Sequence, residues 1–227
     1  MVIKITNIDD IKKMFDPNNF MMVVMGNKDS CATFLEQFEK TGIEYSINKE
    51  IIWSNPDTLL AHHDLIVLPN GNYLMLIKDT QNGPIPIGSW TPSFQSIGFV
   101  ADGITIEFPW EGDRIVEINS QSNEVEWSWS VFDHYSMIDF DTLGGNWNNA
   151  LDFMFYDWTH CNALFYDENE NAVYVSSRHL SRITKIDYDS GDIVWNMGHQ
   201  MESDDIDFGN DICFSYQHDI SLLDNGN

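Results

Sequence analysis

Arg182-Ile-Thr-Lys-Ile-Asp-Tyr-Asp-Ser-Gly-Asp-Ile-Val-Trp195 can be laid over Arg114-Ile-Val-Glu-Ile-Asn-Ser-Gln-Ser-Asn-Glu-Val-Glu-Trp127. Both read as an alternating strand, a tight turn carrying Gly or Asn, and a second strand ending in Trp. A third copy, Ile43-Glu-Tyr-Ser-Ile-Asn-Lys-Glu-Ile-Ile-Trp53, has a shorter turn. A companion segment repeats as well. His63-Asp-Leu-Ile-Val-Leu-Pro-Asn-Gly-Asn matches His218-Asp-Ile-Ser-Leu-Leu-Asp-Asn-Gly-Asn, and His160-Cys-Asn-Ala-Leu-Phe-Tyr-Asp-Glu-Asn-Glu-Asn is a looser third member. Each unit reads strand, turn, strand ending in Trp, loop, a His opening a third strand, turn, and a fourth strand. The fourth strands are predicted at 73–77 and 172–176. Repeats of this kind predict an all-β chain: a β-propeller of four-stranded antiparallel blades, each burying its faces against its neighbours. Trp53, Trp127 and Trp195 read as packing anchors between blades.

The units are uneven. From His63 to His160 is 97 residues and from His160 to His218 is 58, so long insertions are predicted around 81–98 and 133–156. Long loops at one end of a repeat scaffold shape pockets. Residues 43–227 read as propeller blades. Residues 1–42 read either as a partial first blade or as a small α/β element, with a helix over 31–40 or a strand over 32–38. The C-terminal Leu-Leu-Asp-Asn-Gly-Asn is a turn signal that leads toward another strand, so a truncated, incomplete ring is expected.

Composition narrows the function classes. The chain has 227 residues, 36 acids, 11 bases and a formal charge of −25. Nucleic acid is excluded as a partner on this reading, because a phosphate backbone requires a basic surface. Any anion site must be a local basic exception. Cys31, Cys161 and Cys213 carry no CxxC spacing, so neither a disulfide framework nor a zinc site is predicted. Asp205-Ile-Asp207-Phe-Gly209 holds a fragment of a calcium-loop pattern without its full ligand set, and reads as a solvated acidic loop. No segment approaches the roughly 18 apolar residues of a membrane span, and the N-terminus lacks the apolar stretch of a signal peptide.

The seven histidines are His62, His63, His134, His160, His179, His199 and His218. His63, His160 and His218 occupy the same place in successive units. In a propeller the equivalent end of one strand in every blade points into a shared central channel, so these three rings are expected to converge. Arg178, in Val175-Ser-Ser-Arg178-His-Leu, closes the strand after His160 and should face the same channel. A guanidinium among imidazoles is suited to a tetrahedral oxyanion, two of whose oxygens match its planar fork.

Asp157-Trp-Thr-His160-Cys-Asn162-Ala, then Tyr166-Asp167, then Ser176-Ser-Arg178-His179, then Gln217-His218-Asp219 resemble the motif series of the bacterial arylsulfotransferases, over about 42–227. That resemblance implies a six-bladed propeller, of which this chain has room for about three to four blades. It implies an enzyme independent of 3′-phosphoadenosine phosphosulfate that moves a sulfuryl group from an aryl sulfate donor to a phenol, with no cofactor and no metal. It implies that His218 is transiently sulfated, that His63, His160 and Arg178 hold the anion, and that Asn162 is a neighbouring polar substrate contact. His63 is preferred to His62 because it aligns with His218. The family is typically periplasmic or secreted. An open part-ring exposes edge strands, so a homo-oligomer is a further expectation. Trp147, Phe153, Phe155, Tyr156 and Trp158 either line a phenol-binding mouth or pack the second insertion. Two other readings compete: a non-catalytic propeller serving as a binding module, and a quinone-cofactor dehydrogenase, which leaves the His-Asp and Ser-Ser-Arg-His elements unexplained.

Overall fold

The computed structural model describes residues 22–24, 43–45, 51–56, 58–209 and 214–221. Antiparallel β-sheet dominates, at 41% strand against 11% helix, and the chain is all-β as expected. Strands β1 (Met22–Val24), β2 (Ile43–Tyr45) and β3 (Ile51–Ser54) form a three-stranded sheet in that order. The central sheet runs β4 (Ala61–Val67), β5 (Tyr73–Pro84), β6 (Ile106–Ile118) and β7 (Val125–Ser130), with β8 (Tyr156–Asp157) added parallel to β6. The third sheet is β9 (Cys161–Asp167), β10 (Ala172–Ser177), β11 (Arg182–Asp187) and β12 (Ile193–Gly198). Apart from β8, strands adjacent in a sheet are adjacent in sequence, which is what short turns between antiparallel strands produce.

The internal repeat is visible at the level of single hydrogen bonds. In one turn Asn119 N–H donates to the Glu124 carbonyl, and Asn123 N–H donates to the Asn119 carbonyl. In the other, Asp187 N–H donates to Asp192 and Gly191 N–H to Asp187. The side chains repeat too: Ser122 N–H donates to Asn119 Oδ1 and Ser190 N–H to Asp187 Oδ1. Asn123 (φ 58°) and Gly191 (φ 76°) fill the same left-handed position, where Gly and Asn are the tolerated residues. The sheets are cut in a different phase from the sequence unit. Each larger sheet opens at its histidine, His63 within β4 and His160 immediately before β9. The sheets close on the strands that carry Trp53, Trp127 and Trp195.

Side-chain alternation explains why the first five residues of β5, 73–77, are apolar without interruption. Tyr73, Met75 and Ile77 pack with Trp53, Val116 and Ile118 on the side of the first sheet. Leu74 and Leu76 point the other way, into the main core with Ile115, Leu164, Val173 and Val175. The central sheet is therefore buried on both faces, and a strand buried on both faces loses its polar positions. The tryptophans behave as anchors at two of three sites. Trp53 stacks on Tyr73 at 3.9 Å and donates its indole N–H to Asn123 Oδ1. Trp127 stacks on Tyr188 of the third sheet's turn at 4.9 Å. Trp195 instead packs within its own sheet, edge-on to Tyr174 and Phe208.

The insertions are more ordered than loops. β5 continues to Pro84 and pairs with β6 from Ile106, so the first insertion begins as an extended hairpin. Its tip carries helix α1 (Thr91–Ser96), which buries Phe94. The second insertion holds α2 (Val131–His134) and α3 (Asn146–Phe153). Trp147 stacks on Tyr156 at 4.0 Å, and with Trp110, Trp158 and Phe108 they form an aromatic core with no exposure. The helix or strand over 31–40, Cys31, Cys213 and the C-terminal turn lie outside the described residues.

Candidate active site

His63, His160 and His218 come together. The His63 ring lies 4.9 Å from that of His160 and 5.7 Å from that of His218, centroid to centroid. Three local features deliver them. A bulge in β4 leaves His63 and Asp64 out of the ladder between the pairs His62↔Leu76 and Leu65↔Met75. His63 (φ 58°) and His160 (φ 47°) are both in the left-handed region, which costs a non-glycine residue roughly 1–2 kcal/mol. Such outliers persist where the surrounding structure over-determines them, and they cluster at functional sites. Finally, β4 and β9 lie side by side: Leu164 N–H donates to Asp64 Oδ2 at 2.8 Å. The two strands that open the larger sheets thus present their histidines to one place.

His218 sits on a segment without strand structure in the described residues 214–221, so the third strand expected to open there is not seen as far as Ser221. The segment is held by side chains instead. Asn162 Nδ2 donates to the Gln217 carbonyl at 2.8 Å, and Gln217 Nε2 donates to Ser176 Oγ and to the Arg182 carbonyl. Tyr216 N–H donates to Ser181 Oγ. Asn162, expected as a substrate contact, therefore first positions the backbone beside His218, and its Oδ1 is buried without a hydrogen-bond partner among the described residues. Tyr216 needs room: a Cβ on Gly144 would fall 1.7 Å from its hydroxyl.

Arg178 reaches the cluster through its neighbour. It donates from Nη1 to His179 Nε2 at 2.9 Å, and its guanidinium lies 5.0 Å above the Tyr216 ring. His179 donates from Nδ1 to the Asp157 carbonyl and stacks on His160 at 4.5 Å. Burial lowers the His179 pKa, in keeping with a neutral ring that donates at one nitrogen and accepts at the other. His160 Nδ1 lies 2.6 Å from Asp157 Oδ2. Asp157, His160 and His179 set one potential metal-ligand atom each within 4.8 Å. Both His179 nitrogens are already engaged and Arg178 adjoins the group, so it does not suit a cation.

The pKa of His63 is pushed down to about 4. Desolvation contributes most, followed by the neighbouring imidazole of His62 and then that of His160, with Asp113 acting in the opposite direction. His63 is therefore a neutral ring at pH 7. Sequence reasoning set aside His62, yet its Nδ1 is 2.8 Å from His63 Nδ1 and its Nε2 is 3.0 Å from Asp113 Oδ1. Asp157, His179 and Gln217 were present in the quoted motifs without an assigned role. Asp113 carried no signal at all.

Beside His179 and Asp157 opens a cavity of about 250 Å³, walled by Phe153, Phe155 and Asn149. Phe153 is 64% exposed, whereas Trp147, Tyr156 and Trp158 have no exposure. The aromatics of the second insertion thus divide, with three packing the core and two facing a mouth next to the histidines.

The sequence profile of the Arylsulfotransferase (ASST) family matches residues 107–226, more than half of the chain, and takes in His160, Asn162, Arg178 and His218. The chain belongs to the arylsulfotransferase family. Membership makes it a sulfotransferase-type protein whose substrates are small aryl molecules. His63 lies before the matched stretch, and its tie to the site is the geometry above. A comparison with curated proteins returned no match. Among the described residues no helix is long and apolar enough to cross a membrane.

Proposed function

We propose that this arylsulfotransferase moves a sulfuryl group from an aryl sulfate to a phenol through a sulfated His218, without 3′-phosphoadenosine phosphosulfate, cofactor or metal. The observation that carries the reading is the meeting of three imidazoles from distant segments, with Arg178 one residue away from the ring that stacks on His160. In the first half-reaction a bare His218 nitrogen attacks sulfur, an S–N bond forms, the S–O bond to the aryl group breaks, and a phenolate departs. In the second, an acceptor phenol oxygen attacks the same sulfur and restores His218. Splitting the transfer lets donor and acceptor use one site in turn. The charge on the sulfuryl oxygens is spread as in phosphoryl transfer, so His63, His160 and Arg178 act by positioning and electrostatics.

The fold is read the same way. The three sheets are consecutive blades of a propeller, the first taking in β1 at 22–24 ahead of the 43–227 expected from the sequence, with β4 and β9 as innermost strands around the axis. The edge strands and the anionic surface leave homo-oligomerisation, and export to the periplasm or medium, as expectations from family resemblance.

The direct test is mass spectrometry of the protein after incubation with an aryl sulfate. A sulfate increment on the peptide containing Gln217-His218-Asp219 is expected; its absence, with donor turnover intact, removes the reading. The cavity adds a second expectation. Phe153 and Phe155 supply an aryl-ring surface, so Phe153→Ala should raise KM for the aryl substrate about tenfold with kcat little changed, the equivalent of one lost aromatic contact. Steady-state kinetics with a nitrophenyl sulfate check it.

A further inference from the structure

We propose that Asp113 and His62 form a proton relay behind His63, which makes His63 the group that protonates the departing phenolate and deprotonates the incoming phenol. The proposal rests on the sulfuryl-transfer reading and adds the acid–base partner that reading lacks. Consecutive residues of a strand point to opposite faces, yet His62 and His63 share one site, because the bulge and the left-handed φ at His63 turn both rings the same way. The result is a line of three groups. Asp113, 4% exposed, accepts hydrogen bonds from the Thr159 hydroxyl and from Cys161 N–H. It faces His62 Nε2 at 3.0 Å, and His62 Nδ1 faces His63 Nδ1 at 2.8 Å.

Two nitrogens at that separation share one proton. Burial alone would raise the Asp113 carboxyl, but the His62 ring, together with Thr159 and Cys161, holds it below the usual range. Asp113 is thus an anion, and its charge, 3.0 Å away, favours a proton on His62 Nε2, which makes no hydrogen bond among the described residues. The remaining proton lies between the rings, and its position fixes the chemistry. With that proton on His62 Nδ1, His63 carries its own proton on Nε2 and can give it to the leaving oxygen. As it does so, His63 Nδ1 takes the shared proton from His62, and His62 becomes neutral. In the second half-reaction His63 Nε2 takes the proton of the acceptor phenol while the shared proton returns to His62. One proton leaves with the donor phenol and one arrives with the acceptor, so the cycle balances. Asp113 changes neither charge nor partner. The charged and titratable groups acting on His63 are His62 beside it and Asp113, His160 and His218 from other segments. His62 and Asp113 are positioning residues; His63 touches substrate.

The test compares two donors in the intact chain and in His62→Gln and Asp113→Asn. Nitrophenyl sulfate releases a phenolate that leaves without help, whereas phenyl sulfate releases one with a pKa of about 10, as for a tyrosine. General acid–base catalysis contributes about 10²–10⁴-fold. Either variant should therefore lose about 10²-fold or more in the rate of His218 sulfation by phenyl sulfate and only a few-fold with nitrophenyl sulfate. Sulfation of His218 by nitrophenyl sulfate should persist. Equal losses with both donors in that rate overturn the relay while leaving the parent reading intact. Absence of sulfohistidine in the unaltered protein overturns the parent reading itself. Should His62→Gln not fold, as judged by circular dichroism, Asp113→Asn decides, since an amide oxygen still accepts from Thr159 and Cys161.

Discussion

Replacing His218 with alanine should lower sulfuryl transfer by about 10⁴-fold or more, with no sulfate incorporated into the protein. The size follows from its role. A group that forms the covalent intermediate has no substitute, whereas a group that stabilises charge shares the work with its neighbours. Arg178→Ala should therefore cost only about 10²–10³-fold, the usual loss for one electrostatic contact. The two variants separate further by stability. His218 is exposed on a segment held through Tyr216 and Gln217, so His218→Ala should unfold in urea at the wild-type midpoint. Parallel measurement of donor turnover, protein-bound sulfate and the urea midpoint checks all three statements. A His218→Ala protein that turns over aryl sulfate at the wild-type rate sinks the assignment.

The second large effect is structural. Arg182 and Asp139 have no side-chain exposure, and Arg182 Nη2 is 2.5 Å from Asp139 Oδ2. The guanidinium also lies 4.9 Å above the Tyr135 ring, while its Nε and Nη1 have no hydrogen-bond partner among the described residues. Asp139 is better supplied, since Ser203 donates both its N–H and its hydroxyl. Asp139→Leu leaves a buried cation without its counter-charge and should cost about 3–5 kcal/mol, a large share of a domain's 5–15 kcal/mol. Arg182→Met should cost less, because Ser203 still binds the carboxylate. The double variant should recover most of the loss, because replacing a whole buried pair by apolar groups is often neutral. Urea unfolding of the three variants tests the order. The outcome bears on the site as well, because the Arg182 carbonyl accepts from Gln217, next to His218.

How much of this was legible in the sequence depends on whether local pairing or long-range register set each feature. The strands around Arg114 and Arg182 were readable because alternation and the Asn or Gly turn are local signals, and the two turns match bond for bond. The meeting of His63, His160 and His218 was readable because repetition carries position: equal places in equal units come together. His62 was passed over because His63 is the one that aligns with His218, and neighbours in a strand ordinarily face opposite ways. A bulge breaks that rule and leaves no trace in composition. Asp113 was invisible because its partners, Thr159, Cys161 and His62, reach it only through the packing of β4, β6 and β9. The second insertion looked like loop because α2 and α3 are short. Their stability comes from burying Val131, Trp147 and Ala150 rather than from helix propensity.

The offset between sequence unit and sheet governs how this scaffold can be divided. A cassette cut at the repeat seen in the sequence, from Arg114 to the next such arginine, cuts through β6, parts β4 and β5 from β7 and splits a hydrogen-bonded layer in two. Cuts made after a tryptophan strand, in the connections at 55–60 or 131–155, would keep the antiparallel ladders whole, part only β8 from β6, and hand the second and third fragments their own imidazole at the leading edge. Shuffling or transplanting modules of this protein should follow those seams.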